Sequence, residues 1–311
     1  MIDTKPTTMI DFHPVTIEDK QLYEKLMSRE NERGCEFTFA NLYLWGRQSA
    51  ALLHGQIVLF SQFDRRSVYP YPIGDGDKQP VLDAIIDDAK ARGIPCRITG
   101  LGTTARQVLE ELYPNRFRFH CDEGSFDYVY SIDDLADLGG KKYHAKRNHL
   151  NRFREAFPNY TTEPICRKNL SAAKQMTENW YKKRLEENPN GDFHMERAAL
   201  EKAFSHFSEL GMEGLLLRNG EDVLAVTLGS RMSNDTFDVH FEKARADVQG
   251  AYTAINREFA CYIRSKYPDV RFLNREEDMG LEGLRKAKLS YYPHHRVEKC
   301  WGCLLEDGYD Y

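Results

Sequence analysis

A chain of 311 residues with 41% hydrophobic and 29% charged side chains is long enough for two globular domains. No apolar run approaches the roughly 20 residues that cross a bilayer, and residues 1–14 lack the apolar core of an export signal. Seven cysteines without framework spacing favour a reducing compartment. A formal charge of -5 argues against a dedicated duplex-DNA binder. We therefore expect a cytoplasmic protein without a transmembrane segment.

The first half of the chain predicts helices that alternate with short strands. Apolar residues spaced three or four apart predict helices over 16–27, 79–92 and 103–113. Strands are predicted over 50–54, 56–60, 68–70, 96–99, 116–120 and 126–130, with Gly55 in the turn of a tight hairpin. Residues 100–105 match G-x-G-x-x-A, which keeps a nicotinamide cofactor as an alternative, although the surrounding hairpins argue against it.

The acidic, turn-prone residues 131–140 predict a boundary between modules 1–135 and 136–311. The second half predicts helices over 143–157, 171–185, 195–210, 251–266 and 281–288, and strands over 215–218, 223–231, 236–241, 270–273 and 296–304. Asn219 and Gly220 suit a type I′ hairpin turn. Both halves run in a similar order, so we expect an α+β fold of two modules, each a mixed, mostly antiparallel sheet flanked by helices.

A motif near the C-terminus resembles that of a known family. Its residues, spaced as G-L-R-x-x-K-x-x-x-x-P, are Gly283, Leu284, Arg285, Lys288 and Pro293. With the preceding LNREEDMG (273–280) and the basic segment 141–153, the second half resembles the C-terminal synthase domain of phosphatidylglycerol lysyltransferases, also called domain of unknown function 2156. The resemblance implies two tandem modules of the GNAT-like (acyl-CoA N-acyltransferase) fold and acyl or aminoacyl transfer. It leaves a small-molecule, peptide or lipid acceptor open.

The donor is indicated by a departure from the acetyl-CoA pattern. GNAT enzymes that use acetyl-CoA typically carry Q/R-x-x-G-x-G/A where exposed backbone N–H groups hold a pyrophosphate. Here Asp247 replaces the Gln or Arg, and Tyr252 replaces the small final residue. A carboxylate repels a pyrophosphate, so we expect an aminoacyl-tRNA donor and no tightly bound cofactor. An acetyl-CoA-dependent acetyltransferase and a non-catalytic RNA-binding module are the alternatives.

The stretch 140–154 contains six Lys or Arg, two His and no acid. On a helix, one apolar stripe holds Tyr143, Leu150, Phe153 and Phe157. A solvated amphipathic helix accounts for this pattern as well as a phosphate-binding surface does. In the functional interpretation the helix opens the second module and lines a groove between modules. The residues that would bind tRNA there are Lys142, Lys146, Arg147 and Arg152.

Acidic residues 276–278 follow a predicted strand, and they either cap the next helix or act chemically. A carboxylate can bind the ammonium of an aminoacyl group or serve as a general base, for which Glu276 and Asp278 are candidates. We expect the adjacent Asn274 and Arg275 to bind substrate.

Two basic residues of the motif, Arg285 and Lys288, lie three apart on one helix flank. They either pair with Glu282 or neutralise a phosphate or the oxyanion of the reacting ester. Tyr291 and Tyr292 are candidates to stack on the terminal adenine or to protonate the leaving hydroxyl, with burial in the core as the alternative.

Alternation places Asp238, His240 and Glu242 on one face of a strand. That face is either solvated or lines the catalytic cleft, and in the second case Glu242 or His240 is a candidate base. No metal site is predicted, because the pair Cys300 and Cys303 lacks a second ligand pair.

Overall fold

The structure is a computed structural model that describes residues 9–28, 34–46, 48–63 and 66–305. Residues 1–8, which form much of the segment used above to assess export, lie outside the described residues. The chain divides into two compact units. Tyr128–Arg296 form the second, and the first combines the chain up to Asp127 with the segment that begins at Val297. Within the described ranges, no helix has both the length and the apolar character needed to span a bilayer.

Helices and strands alternate in both units. In the part of the chain that the structure describes, the helices are α1 (Lys20–Met27), α2 (Phe39–Trp45), α3 (Gln79–Arg92), α4 (Thr103–Leu112), α5 (Ile132–Asp137), α6 (His144–Ala156), α7 (Leu170–Glu187), α8 (His194–Ser205), α9 (Ala251–Lys266) and α10 (Glu282–Leu289). The strands there are β1 (His13–Pro14), β2 (Gln48–Leu53), β3 (Gln56–Phe63), β4 (Arg66–Pro70), β5 (Arg97–Leu101), β6 (Phe117–Cys121), β7 (Asp127–Ser131), β8 (Thr161–Pro164), β9 (Glu213–Asn219), β10 (Asp222–Arg231), β11 (Thr236–Ala244), β12 (Phe272–Asn274), β13 (His295–Val297) and β14 (Cys300–Leu304).

The first unit is built on a mixed sheet in the order β1-β2-β3-β4-β5-β14-β6. The predicted hairpin is confirmed, with His54 and Gly55 both at positive φ between β2 and β3. Strands β4 and β5 are parallel, and α3 connects them. The last strand, β14, pairs antiparallel with both β5 and β6. Cys300 lies opposite Cys121, and the two form a disulfide that the spacing of the cysteines did not predict.

The second unit has a mixed sheet in the order β13-β7-β12-β11-β10-β9-β8. The predicted hairpin of β9 and β10 is confirmed, but its two loop residues are Gly220 and Glu221. The parallel pair β11 and β12 is in register only from Thr236 to Asp238, whereas β11 continues to Ala244. The two strands therefore part after Asp238. Two mixed, mostly antiparallel sheets flanked by helices confirm the predicted α+β fold.

The predicted boundary at 131–140 contains helix α5. The Ser131 hydroxyl accepts a hydrogen bond from the Asp134 N–H and so caps this helix. Ile132 and Leu135 are buried in the core of the second unit. Arg264 of α9 pairs with Asp133 and Asp137, so the acidic residues bind a neighbouring helix rather than solvent alone. The second unit thus begins before residue 136.

The single strand predicted over 296–304 is two strands that belong to different sheets. β13 joins the sheet of the second unit, and β14 joins that of the first. The second unit therefore ends at Arg296 rather than at residue 311. The predicted and observed boundaries differ because a local sequence pattern does not show with which distant strand a segment pairs.

The apolar stripe predicted on the basic helix is confirmed. Tyr143, Leu150 and Phe153 are buried, and Phe157 packs against the same core. Gly250, at φ 83°, precedes α9 at the place where α6 packs. A Cβ on Gly250 would lie 2.4 Å from the His149 carbonyl oxygen. Only glycine permits both this backbone conformation and this close approach.

Gly229 tests the packing of the central strands. A Cβ at this position would lie 2.2 Å from the Asp238 carbonyl oxygen and 2.7 Å from a ring carbon of Phe237. We expect Gly229→Ala to lower the free energy of unfolding by about 1–3 kcal/mol, because backbone must move to admit the methyl group. Gly139→Ala, with nothing within 4 Å of the added Cβ, should change it by about 0.5 kcal/mol or less. Urea titration monitored by circular dichroism measures the free energy of unfolding of both variants. Equal effects would contradict the close packing at Gly229.

Candidate active site

The segment between β12 and α10 lies where β11 and β12 part. Two non-glycine residues in it, Glu276 and Met279, adopt positive φ angles of 56° and 53°. Such conformations are uncommon outside glycine and persist only where surrounding contacts enforce them. The contacts come from the motif residues of α10.

Lys288 provides the first of these contacts. Its side chain is buried, and Nζ donates hydrogen bonds to the carbonyl oxygens of Arg275, Glu276 and Glu277 at 2.5, 2.9 and 2.5 Å. An ammonium has three N–H donors, and all three are used here. The structure therefore gives Lys288 the role of holding the loop, in place of the predicted neutralisation of a phosphate or an oxyanion.

Asp278 and Arg285 provide the second contact. The buried carboxylate accepts hydrogen bonds from Arg285 Nε at 2.8 Å, the Tyr128 hydroxyl at 2.6 Å and the Gly280 N–H at 2.8 Å. The Arg285 hydrogen bond lowers the pKa of Asp278 to about 2, with smaller contributions in the same direction from Tyr128 and Gly280. A carboxylate this acidic is a poor general base, so the structure places Asp278 and Arg285 in a supporting ion pair. Glu282, the alternative partner of Arg285, pairs with Lys286.

A β-bulge interrupts the alternation of β11, because Leu228 pairs with Phe241 whereas Gly229 pairs with Val239. Asp238, His240 and Glu242 therefore do not share the single strand face that the sequence predicted. The His240 side chain is 1% exposed, and Nδ1 lies 3.1 Å from the Glu276 carboxylate and 3.5 Å from that of Asp238. Because a carboxylate only accepts, Nδ1 carries the proton in the bond to Glu276. The other ring nitrogen lies 2.8 Å from the Ser230 hydroxyl. The carboxylates of Asp238 and Glu276 and the imidazole of His240 also offer ligand atoms within 4.8 Å of one another. This spacing is that of a possible metal site.

Three charged residues converge beside this cluster. Arg275 donates to Glu242 at 3.0 Å, and its guanidinium lies 5.1 Å from the centre of the Tyr291 ring. Lys146 of α6 places Nζ 3.7 Å from the centre of the same ring. Burial, reinforced by the charge of Arg275 and opposed by Glu242, lowers the pKa of Lys146 to about 8. A lysine with this pKa can exchange a proton near physiological pH.

The other predicted tRNA-binding residues do not reach the cleft. Arg147 donates to the carbonyl oxygens of Leu138 and Gly140 at the end of α5, which is a structural role. Lys142 pairs with Asp134 at 2.9 Å on the surface. Arg152 is exposed on α6. Of the four basic residues, Lys146 therefore lies in the site and Arg147 makes internal contacts. Lys142 and Arg152 form an exposed positive surface.

The remaining predicted residues divide between core and surface. Tyr291 is buried and forms the floor beneath Lys146 and Arg275, whereas Tyr292 is 48% exposed. Asn274 is buried, and its side-chain oxygen accepts the Glu276 N–H at 2.7 Å. Sequence reasoning missed the loop-supporting Tyr128, and it also missed Asn256, whose amide lies 3.4 Å from Glu242. Neither belongs to a motif, and only the fold brings them to the site.

The loop before α9 carries the carboxylate of Asp247 where acetyl-CoA enzymes hold a pyrophosphate. Asp247 pairs with Arg245 at 2.7 Å, and this contact lowers the Asp247 pKa to about 2. The carboxylate thus stays charged at neutral pH. The carbonyl of His149 packs against Gly250 on the other side of the loop. An anionic donor headgroup would meet the Asp247 carboxylate here, with Arg245 and Lys183 already paired to it.

The sequence matches one family model over most of its length. The model described as phosphatidylglycerol lysyltransferase, C-terminal, matches residues 28–303. Among curated proteins, none matches the chain. A crystal structure of a conserved protein of unknown function from Bacteroides thetaiotaomicron VPI-5482 is 36% identical, with a TM-score of 0.90, and the match covers 96% of this chain and 100% of that one.

More distant structures share the fold. The C-terminal domain (DUF2156) of a putative lysylphosphatidylglycerol synthetase from Agrobacterium fabrum has a TM-score of 0.68 at 12% identity, covering 93% of this chain and 92% of that one. L-PGS from Bacillus licheniformis has a TM-score of 0.65 at 15% identity, with 92% of each chain covered. FemX has a TM-score of 0.60 at 11% identity, covering 95% of this chain and 98% of that one.

The role of Lys288 is testable by removing its charge. Lys288→Met leaves three carbonyls without their donor, so we expect the free energy of unfolding to fall by about 1–3 kcal/mol or more. Amide exchange in residues 275–278 should accelerate. Lys286→Met is the matched control on the same helix, because Lys286 is 75% exposed in its pair with Glu282, and it should cost about 0.5 kcal/mol or less. Equal stability of the two variants would contradict the supporting role.

Proposed function

The chain belongs to the phosphatidylglycerol lysyltransferase C-terminal family and is an acyltransferase of the tandem GNAT-like fold, and from this we propose that it transfers an aminoacyl group from an aminoacyl-tRNA to an amine- or hydroxyl-bearing acceptor. The family description itself names the transfer of a lysyl group. The observation that carries the proposal is the convergence of Lys146, Glu242 and Arg275 where β11 and β12 part. This convergence supplies a proton acceptor and positive charge in one cleft.

The choice of donor rests on charge at two places. The carboxylate of Asp247 disfavours a pyrophosphate at the start of α9. The exposed part of the basic segment, with Lys142 and Arg152, offers contacts to RNA phosphates instead. An aminoacyl-tRNA needs such contacts away from the reacting ester, whereas acetyl-CoA does not.

Lys146 acts as the general base in this proposal. The acceptor nitrogen or oxygen attacks the carbonyl carbon of the aminoacyl ester, a new bond to that carbon forms, and the C–O bond to the ribose breaks. Neutral Lys146 takes the proton that the nucleophile loses and gives it to the departing ribose oxygen. Burial and the charge of the nearby Arg275 keep the pKa of Lys146 low. Arg275 also stabilises negative charge on the carbonyl oxygen.

Carboxylates in the cleft recognise the aminoacyl group. Glu276 is half-buried and already accepts a hydrogen bond from His240, which fixes its orientation. Glu276 and Glu242 thus offer acceptors to the donor's ammonium group. Asn274 and Lys288 hold the backbone of Glu276 from both sides, so they are positioning residues rather than catalytic ones.

The reaction is tested with labelled aminoacyl-tRNAs and a cell extract as the source of acceptors. We expect label to move to an acceptor, with Lys146→Met slower by about 10²- to 10⁴-fold. The ratio of wild-type to variant rates should rise with pH up to about 8, the pKa of Lys146, and level off above it, because Lys146 accepts a proton only when neutral. The acceptor titrates in the same way with both enzymes, so its protonation cancels in the ratio of the two rates.

Lys141→Met, in the turn before α6, is the control for lost positive charge. It should retain the wild-type pH profile. RNA binding without transfer would favour the non-catalytic module, and acetylation with acetyl-CoA as donor would overturn the proposed donor.

Binding of tRNA is tested by charge reversal on the exposed helix surface. Lys142→Glu with Arg152→Glu should weaken binding and reduce the slope of log affinity against log salt by about 1.4–1.8, as expected for two lost phosphate contacts. Lys25→Glu with Lys90→Glu makes the same change in net charge on α1 and α3 of the first unit. Filter binding across a range of salt concentrations measures both slopes. Indistinguishable slopes would refute the proposal that Lys142 and Arg152 contact RNA phosphates.

A further inference from the structure

A cavity of about 500 Å³ lies in the second unit. One wall is a single face of α7 from Ala172 to Glu187, and the opposite wall is the β9–β10 turn with Glu221 and Asp222. Arg245 and Asp247, after β11, complete the lining. This volume is typical of sites for small molecules.

The charges around the cavity favour a cationic ligand. Its basic side chains are already paired, Arg245 and Lys183 with Asp247 at 2.7 and 3.7 Å, and Arg184 with Glu187 at 3.2 Å. Glu221 and Asp222 also line it, and among the described residues neither forms an ion pair within 4 Å. An anionic ligand would meet four lining carboxylates and only paired cations.

Trp180 gives the same wall an aromatic surface that already attracts cations. Lys243 Nζ lies 4.2 Å from the centre of its ring, and the Arg184 guanidinium lies at 5.1 Å. Aromatic faces bind alkylammonium groups by the same attraction. Met176 and Val223 add apolar lining for the carbon chain of such a group.

The cavity adjoins the candidate active site through two aromatic residues. Trp180 Nε1 donates to the Tyr252 hydroxyl at 3.1 Å. Lys243, which follows Glu242 on β11, has its Nζ 4.2 Å from the centre of the Trp180 ring. The Trp180 wall of the cavity thus contacts the end of β11, the strand that carries Glu242.

We propose that this cavity is the acceptor site and that the acceptor is an alkylammonium compound, drawn in by Glu221 and Asp222 and guided along Trp180. The identification as an acceptor rests on the function proposed above, whereas ammonium binding does not. The proposal of an alkylammonium acceptor narrows the acceptor from an amine or a hydroxyl compound to an amine. In the reaction, the bound ammonium first loses one proton to solvent. The neutral amine nitrogen then forms the new C–N bond while the C–O bond to the ribose breaks, and the second proton passes through Lys146 to the ribose oxygen.

Cadaverine, a five-carbon diamine, and its uncharged analogue 1,5-pentanediol form the matched probe pair for calorimetric titration of the full chain without donor. We expect cadaverine to bind and pentanediol not to bind. Glu221→Gln with Asp222→Asn should weaken cadaverine binding about 5- to 30-fold, as expected for two lost charge contacts. Both residues are exposed in a turn, so the variant should fold, which thermal unfolding checks.

The control variant, Glu111→Gln with Glu186→Gln, removes two exposed carboxylates outside the cavity lining and should bind cadaverine as the wild type does. Equal binding of the diamine and the diol, or equal loss in both double variants, would overturn the cavity assignment. Displacement of cadaverine by adenosine monophosphate would also overturn it, because the cavity would then hold the donor's terminal nucleotide.

Transfer from labelled aminoacyl-tRNA to cadaverine separates this inference from the proposed function. A KM raised by the same factor in the Glu221/Asp222 variant, with kcat unchanged, supports the acceptor site. Transfer with an unchanged KM refutes the acceptor site and leaves the function standing. Cadaverine binding without transfer to any acceptor refutes the function and leaves the ammonium site standing.

Discussion

Three hydrogen bonds from the Lys288 ammonium to consecutive carbonyls hold the segment on which the candidate site is built. A buried charge is tolerated only when its hydrogen bonds are satisfied, and here the loop itself supplies the acceptors. The same contact fixes the positive φ of Glu276 and aims its carboxylate at His240. The Asp278–Arg285 pair secures the far end of the segment. The motif residues Arg285 and Lys288 thus chiefly hold the loop between β12 and α10 in its conformation.

The second requirement of the site is the parting of β11 from β12. Had the parallel pairing continued to Glu242, no space would exist for a substrate between the strands. The polar side chains where the pairing ends are largely buried, and ion pairs such as Glu242–Arg275 offset the cost of burial. Helix α6 then lies against the start of α9 and brings Lys146 to this opening. Burial, together with the charge of the nearby Arg275, gives that lysine its low pKa.

Local sequence patterns were enough to predict most elements, and the resemblance of one motif indicated the family. The His54–Gly55 turn and the apolar stripe of α6 follow from short-range rules that tertiary contacts did not override. The acidic helix α5 was misjudged because Asp and Gly also mark turns, although Ser131 and Asp134 already carried the spacing of a cap. Roles at the site were harder to predict. Whether Lys288 faces a substrate or three carbonyls depends on where a loop folds back, and no local pattern records that.

The strand β14 has a consequence for the order of folding. It lies inside the sheet of the first unit, between β5 and β6, yet it follows the whole second unit in sequence. During synthesis the second unit is complete while the first still lacks an interior strand, so β5 and β6 present unpaired edges until residue 300 and its successors emerge. The second unit can form from one continuous stretch, whereas the first must close a loop of about 180 residues, and the Cys121–Cys300 bond spans a separation of 179. The unit that comes first in the sequence is therefore the last to be finished.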